Sequence, residues 1–90
     1  MAWRIELSGL AQRNLRALDR QIAARILRFL DDRLAPLDDP RSLGEALRGP
    51  QLGALWKYRV GDWRIIASIE DAAVRILVVR IGDRRDIYRR

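Results

Sequence analysis

The sequence predicts an α+β fold in which an antiparallel helical hairpin covers one face of an antiparallel sheet. Three observations carry that expectation: an alternating stretch at the N-terminus, two apolar runs spaced three and four residues apart, and a change from Ala54 onward to three short strand-like segments joined by tight turns. Ninety residues provide for one domain, 1–90, with a modest core. The composition is that of a globular chain, because 49% of residues are hydrophobic and a disordered chain would be poor in Leu, Ile and Val.

The first strand is read in "AWRIEL", Ala2–Leu7, with Ser8 placed to cap the helix that follows. That helix runs from about Gly9 to Leu18 and gathers Leu10, Ala11, Leu15 and Leu18 on one side. A second helix repeats the pattern with Ile22, Ile26, Phe29, Leu30 and Leu34, and Asp19 in "LDRQ" is placed to cap it. Pro36 ends this helix and Pro40 stiffens its exit. "RSLGEALRGPQLG" then reads as a connection with one helical turn.

The meander follows as "LWKYRV" (Leu55–Val60), "WRIIASIE" (Trp63–Glu70) and "VRILVVRI" (Val74–Ile81). Gly61-Asp62 is a two-residue hairpin signal, and Asp71-Ala72 marks the next turn. A two-residue turn fixes the pairing: Val60 with Trp63, Arg59 with Arg64, Tyr58 with Ile65, Lys57 with Ile66 and Trp56 with Ala67. Alternation then sends Trp56, Tyr58, Val60, Trp63, Ile65, Ala67 and Ile69 to the face the helices bury, and Lys57, Arg59 and Arg64 to the other. Like charges directly opposite one another on a sheet face are unfavourable, so the Arg59 and Arg64 pair asks for a reason. Either the two side chains part into water, with Glu70 and Asp62 offsetting their charge, or the face serves an anionic ligand. The third strand is expected to bring the chain to a sheet edge, where Gly82 turns it and "GDRRDIYRR" (Gly82–Arg90) folds back beside the charged face.

Charge and composition narrow the chemistry. The net charge is +6, and its excess lies in residues 41–90, where eleven Lys and Arg face six acids; residues 1–40 hold seven Arg against six acids and read as a solubilising surface. A basic half of this kind suits phosphate. The absence of Cys and His excludes thiolate, imidazole, disulfide and Cys/His metal chemistry, and leaves any catalysis to Lys, Arg, Tyr, Asp, Glu, Ser or backbone. No apolar run is long enough for a membrane span and "MAWRIELSG" lacks the pattern of a signal peptide, which points to the cytoplasm and to no membrane partner.

"LRG" before the meander, "YRVGDWRI" across it and "RRDIY" at its end, in that order, resemble the RelE/ParE superfamily of small toxins from bacterial type II toxin–antitoxin systems. The resemblance spans nearly the whole chain and is closer to the RelE branch. It implies a RelE-like fold and a metal-independent endoribonuclease, an mRNA interferase that acts on message in the ribosome. It implies further that a ribose 2′-OH attacks the adjacent phosphate, and that a cognate antitoxin protein neutralises the toxin. The working set carried over by the resemblance is Lys57, Arg59, Arg64, Arg84 and Tyr88, with Arg48 and Arg85 as RNA-binding residues.

Within that set, arginine keeps its proton, so Arg59, Arg64 and Arg84 are assigned to clamping the phosphate and stabilising its added charge. Proton transfer falls to Tyr88 and Lys57, because neighbouring positive charge favours the phenolate of a tyrosine and the neutral amine of a lysine. Tyr88 serves as base with Lys57 or Arg84 near the leaving oxygen, or Lys57 and Tyr88 exchange roles. Asp83 stands where many relatives have His, and is expected to orient Arg84. The alternative within the superfamily is a ParE-like inhibitor of DNA gyrase without nuclease activity; a passive RNA-binding domain is a third.

Overall fold

A computed structural model describes residues 2–47 and 55–85. Strand β1 (Arg4–Leu7) leads into helix α1 (Gly9–Ala17) and helix α2 (Arg20–Arg28), which continues as a π-helical segment, Phe29–Leu34. A 3-10 turn (Pro40–Leu43) and a two-residue strand β2 (Glu45–Ala46) precede β3 (Leu55–Val60), β4 (Trp63–Glu70) and β5 (Arg75–Asp83). The five strands form one sheet in the order β1-β5-β4-β3-β2, with β1 parallel to β5 and every other pairing antiparallel.

The expected α+β class and helical hairpin are present, and so is the meander. Its first hairpin carries the register that the Gly61-Asp62 turn demands, from Val60 opposite Trp63 to Trp56 opposite Ala67. Gly61 takes a φ of +59°, which a residue without Cβ adopts at no steric cost.

Local differences from the sequence reading have local causes. Ser8 caps α1 as expected, accepting the Ala11 N–H at 3.0 Å, whereas Asp19 sits at the N-cap of α2 without a side-chain capping bond. In the π segment Ala35 N–H donates to the carbonyl of Leu30, five residues back, and the wider turn keeps Leu34 buried with Ile26 and Leu30. Leu10, expected inside, is 41% exposed, while Ala11 beside it is fully buried. Strand β5 begins at Arg75 because Val74 closes the preceding turn with a left-handed φ of 49°.

The core lies between the helices and one sheet face. Ile26, Leu30 and Leu34 pack with Tyr58, Val60, Ile65, Ala67, Ile76, Val78 and Ile81, and Trp56 and Trp63 border them half-buried. Tyr58 is held at its hydroxyl end: its hydroxyl donates to the Pro40 carbonyl at 2.8 Å, and Gly44 passes so close that a Cβ there would lie 2.7 Å from Tyr58 Cε1.

The third meander strand does not reach a sheet edge. β1 lies outside it, pairing Arg4 with Arg75 through Leu7 with Val78, and the chain leaves β1 before β5 ends. Over the rest of β5, α1 substitutes for a neighbouring strand. Ser8 Oγ donates to the Val79 carbonyl at 2.7 Å and Asn14 Oδ1 accepts the Ile81 N–H at 3.0 Å, so the backbone groups beyond β1 find partners.

Candidate functional site

The sheet face opposite the helices is built by alternation. Lys57 and Arg59 leave β3 on that side, and Arg64 leaves β4 directly across from Arg59. Gly82 stands opposite Arg64 on β5, inside the strand and not at the turn where the sequence placed it. The unfavourable Arg59 and Arg64 pairing is relieved, among the described residues, by backbone carbonyls. Arg64 Nη1 donates to the carbonyls of Gly61 and Trp63, each at 3.0 Å, which draws its guanidinium to the hairpin end while Arg59 stays exposed.

Glu70 does not offset this pair, since it is engaged by Arg75, which also reaches Glu6 at 3.5 Å. Lys57 Nζ stands 3.5 Å from Glu45 Oε2, an ion pair supplied by β2, the strand the sequence did not show. Arg84 follows the end of β5, and its N–H donates to the Asp62 carbonyl at 2.9 Å. One backbone bond thus ties the start of the C-terminal segment to the hairpin that carries Arg59 and Arg64.

Asp83 acts on the backbone around Arg84. Its Oδ1 accepts the backbone N–H of Arg85 at 2.7 Å, an Asx-type turn that shapes the backbone through Arg84 and Arg85, both exposed. Of the working set, Lys57, Arg59, Arg64 and Arg84 are therefore brought to one face or its hairpin end. Tyr88 and Arg48 lie outside the described residues.

Comparison with known proteins follows the same lines. A family model described as the ParE toxin of type II toxin-antitoxin system, parDE, matches residues 5–88. Over 97% of its length and 87% of the relative's, the chain is 32% identical to Toxin RelE of Mycobacterium tuberculosis. It is 29% identical to Toxin RelG of the same organism over the full length of both.

The chain belongs to the RelE/ParE superfamily of type II toxins.

Its fold is similar to that in the crystal structure of the toxin–antitoxin complex RelBE2 from Mycobacterium tuberculosis, with a TM-score of 0.84 at 24% identity, covering 96% of this chain and 95% of that one. The isolated E. coli RelE toxin gives 0.68 at 19% identity, over 91% and 84% of the two chains.

In this RelE/ParE chain the basic surface is wider than the sequence indicated. Arg80 joins it, opposite Ile66 on the same face as Lys57. Simple alternation from the buried Ile76 and Val78 would have sent Arg80 into the core. A bulge at Ile66/Ala67, opposite Val79, reverses the phase and puts Ile81 inside instead.

A second addition comes from α2. A cleft of ≈ 590 Å³ lies between α2 with its π segment and the strands β2 and β3, and Arg25, Arg28 and Arg33 line it with Lys57 and Arg59. Asp32 and Glu45 are its acidic members. The arginines of the first forty residues were read as solubilising surface; three of them stand instead in one cleft with two of the working set. The signal available was the placement of Arg25 and Arg28 one turn apart, off the apolar stripe of α2.

Proposed function

We propose that this toxin is a ribosome-dependent endoribonuclease that cuts messenger RNA and so arrests translation. The observation that carries the reading is the placement of Arg59 and Arg64 as direct cross-strand partners, with Lys57 on the same face and Arg84 bonded to the hairpin that joins them. A sheet face that concentrates like charge is built for an anion, and arginine's fork matches a phosphate.

The reaction follows from those groups. The ribose 2′-oxygen attacks the adjacent phosphorus, the bond to the 5′-oxygen breaks, and the products are a 2′,3′-cyclic phosphate and a free 5′-OH. Arg59, Arg64 and Arg84 hold the charge added to the phosphate in the transition state. Tyr88 takes the 2′-OH proton, a role that rests on the family resemblance. Lys57, held 3.5 Å from Glu45, stands on the same face and gives a proton to the leaving oxygen. Without a histidine in the chain, rate depends on in-line geometry of the substrate, and the ribosome is the partner that supplies it.

The toxin acts in the cytoplasm, and a cognate antitoxin protein covers its basic surface. Complexes of RelE with RelB from Pyrococcus horikoshii, E. coli and Methanococcus jannaschii have the same fold at TM-scores of 0.63–0.68. Gyrase inhibition is the second reading, favoured by the ParE description of the matching family model.

Primer extension on messages from induced cells tests the assignment. Wild-type protein is expected to give discrete cuts within translated codons, and Tyr88→Phe to lose them. Arrest of replication with translation intact would move the assignment to gyrase. A Tyr88→Phe/Arg64→Ala double variant that stays fully toxic would sink the nuclease reading.

A further inference from the structure

The cleft between α2 and β3 shares Lys57 and Arg59 with the working set, yet its other wall is helical. Arg25 links it to the sheet: a Cβ built on Gly61 would meet Arg25 Nη1 at 3.0 Å and Nη2 at 3.3 Å. Its guanidinium therefore lies against the same turn whose carbonyl Arg64 engages. Side chains from two elements, Arg25 on α2 and Arg64 on β4, thus meet at one hairpin end.

Two features say what the cleft takes. Among the described residues, Arg25, Arg28, Arg33 and Arg59 form no ion pair with a carboxylate, whereas the arginines that do, Arg4, Arg41 and Arg75, all lie elsewhere. Phe29 contributes an aromatic surface to the wall, tilted 56° against the buried Tyr58 ring that supports it. A cationic groove with an aromatic in its wall is the form in which single-stranded nucleic acid is held, by backbone charge and base stacking. An acidic peptide would use the charge alone.

We propose that Arg25 and Arg28 of α2, with Arg33 of the π segment, bind the phosphodiester backbone beside the scissile phosphate, so that the RNA strand passes from the sheet face into this cleft. The proposal rests on the RNA-cleaving reading above and adds to it a binding wall on α2.

The test is binding of a single-stranded RNA oligonucleotide made uncleavable by 2′-O-methylation, followed by fluorescence anisotropy across a salt series. Arg25→Gln/Arg28→Gln is compared with Arg13→Gln/Arg16→Gln, which removes the same charge from exposed positions of α1 outside the cleft. The first pair is expected to weaken binding roughly tenfold and to lower the slope of log affinity against log salt by about 1.4, or about 0.7 for each phosphate no longer neutralised. The α1 pair is expected to leave both close to wild type. Equal effects of the two pairs, or wild-type affinity in Arg25→Gln/Arg28→Gln, overturn the proposal. A cleft variant that keeps RNA affinity and loses only retention of poly-L-glutamate assigns the cleft to an acidic peptide and likewise overturns it. Cleavage of ribosome-bound message by the wild type, with RNA affinity absent or indifferent to Arg25 and Arg28, removes this inference alone; absence of both RNA binding and cleavage of ribosome-bound message by the wild type removes the nuclease reading with it.

Discussion

Asn14 Oδ1 accepts the backbone N–H of Ile81 at 3.0 Å, joining α1 to β5 across 67 residues of sequence. The bond lies where β1 has ended and three residues before Arg84, so α1 fixes the strand end that delivers the C-terminal arginines. Asn14→Ala leaves that N–H without its partner, at a cost of about 1–2 kcal/mol. A melting curve should show a drop of roughly 4–8 °C per kcal/mol for a domain of this size. Asn14→Asp keeps the acceptor and is expected to retain most of the stability. Toxicity should fall further in Asn14→Ala than in Asn14→Asp, and equal toxicity would show that β5 holds Arg84 without help from α1.

Gly44 is required by packing, its φ of -117° being open to any residue. A Cβ there would lie 2.7 Å from the Tyr58 ring and 3.0 Å from the Lys57 carbonyl. Gly44→Ala should therefore push Tyr58 out of line and cost about 1–3 kcal/mol in denaturant titration, with an undiminished denaturation slope. A neutral result would mean that the 3-10 turn moves freely away from β3.

Tyr58 sets an alkaline limit to stability. Burial pushes its phenol up to about 12, against an ordinary value of 10. The folded state keeps the proton where the unfolded chain has lost it, so stability is intact below pH 10 and declines between pH 10 and 12. At pH 11 the loss is about 1 kcal/mol. Urea midpoints measured from pH 8 to 11.5 should show this decline, and Tyr58→Phe should flatten it while losing the bond to Pro40.

Arg64 differs from its neighbours in having its guanidinium anchored by two carbonyls. Arg64→Lys keeps the charge but loses the fork, and cleavage of ribosome-bound message is expected to fall by about 10²-fold, the scale seen when one transition-state donor is removed. Thermal stability should change little, since exposed single bonds contribute about 1 kcal/mol or less. Retention of full cleavage by the lysine variant would show that charge alone suffices at this position.

Naked RNA provides a further check. Under the proposed mechanism, purified toxin should cut free RNA slowly and ribosome-bound message readily, because arginines would hold the phosphate and the ribosome would supply the in-line geometry. Equal rates on both substrates would remove the ribosome from the mechanism.

Whatever is encoded in neighbouring residues was legible in the chain alone. The two-residue turn at Gly61-Asp62 set the register of β3 and β4, and with a period of two that register sent Lys57, Arg59 and Arg64 to a single face. Ser8 marked the start of α1, and the spacing of Ile26, Leu30 and Leu34 marked the buried side of α2. Features that depend on groups distant in the chain came only with folding. β1 joined β5 in parallel, so the last meander strand became interior and Asn14 was needed to complete its end. The bulge that turns Arg80 outward breaks the alternation that a sequence pattern assumes. The cleft that unites Arg25, Arg28 and Arg33 with Lys57 and Arg59 exists only where α2 packs beside β3, because side-chain convergence across elements is set by packing and leaves no local periodicity to read.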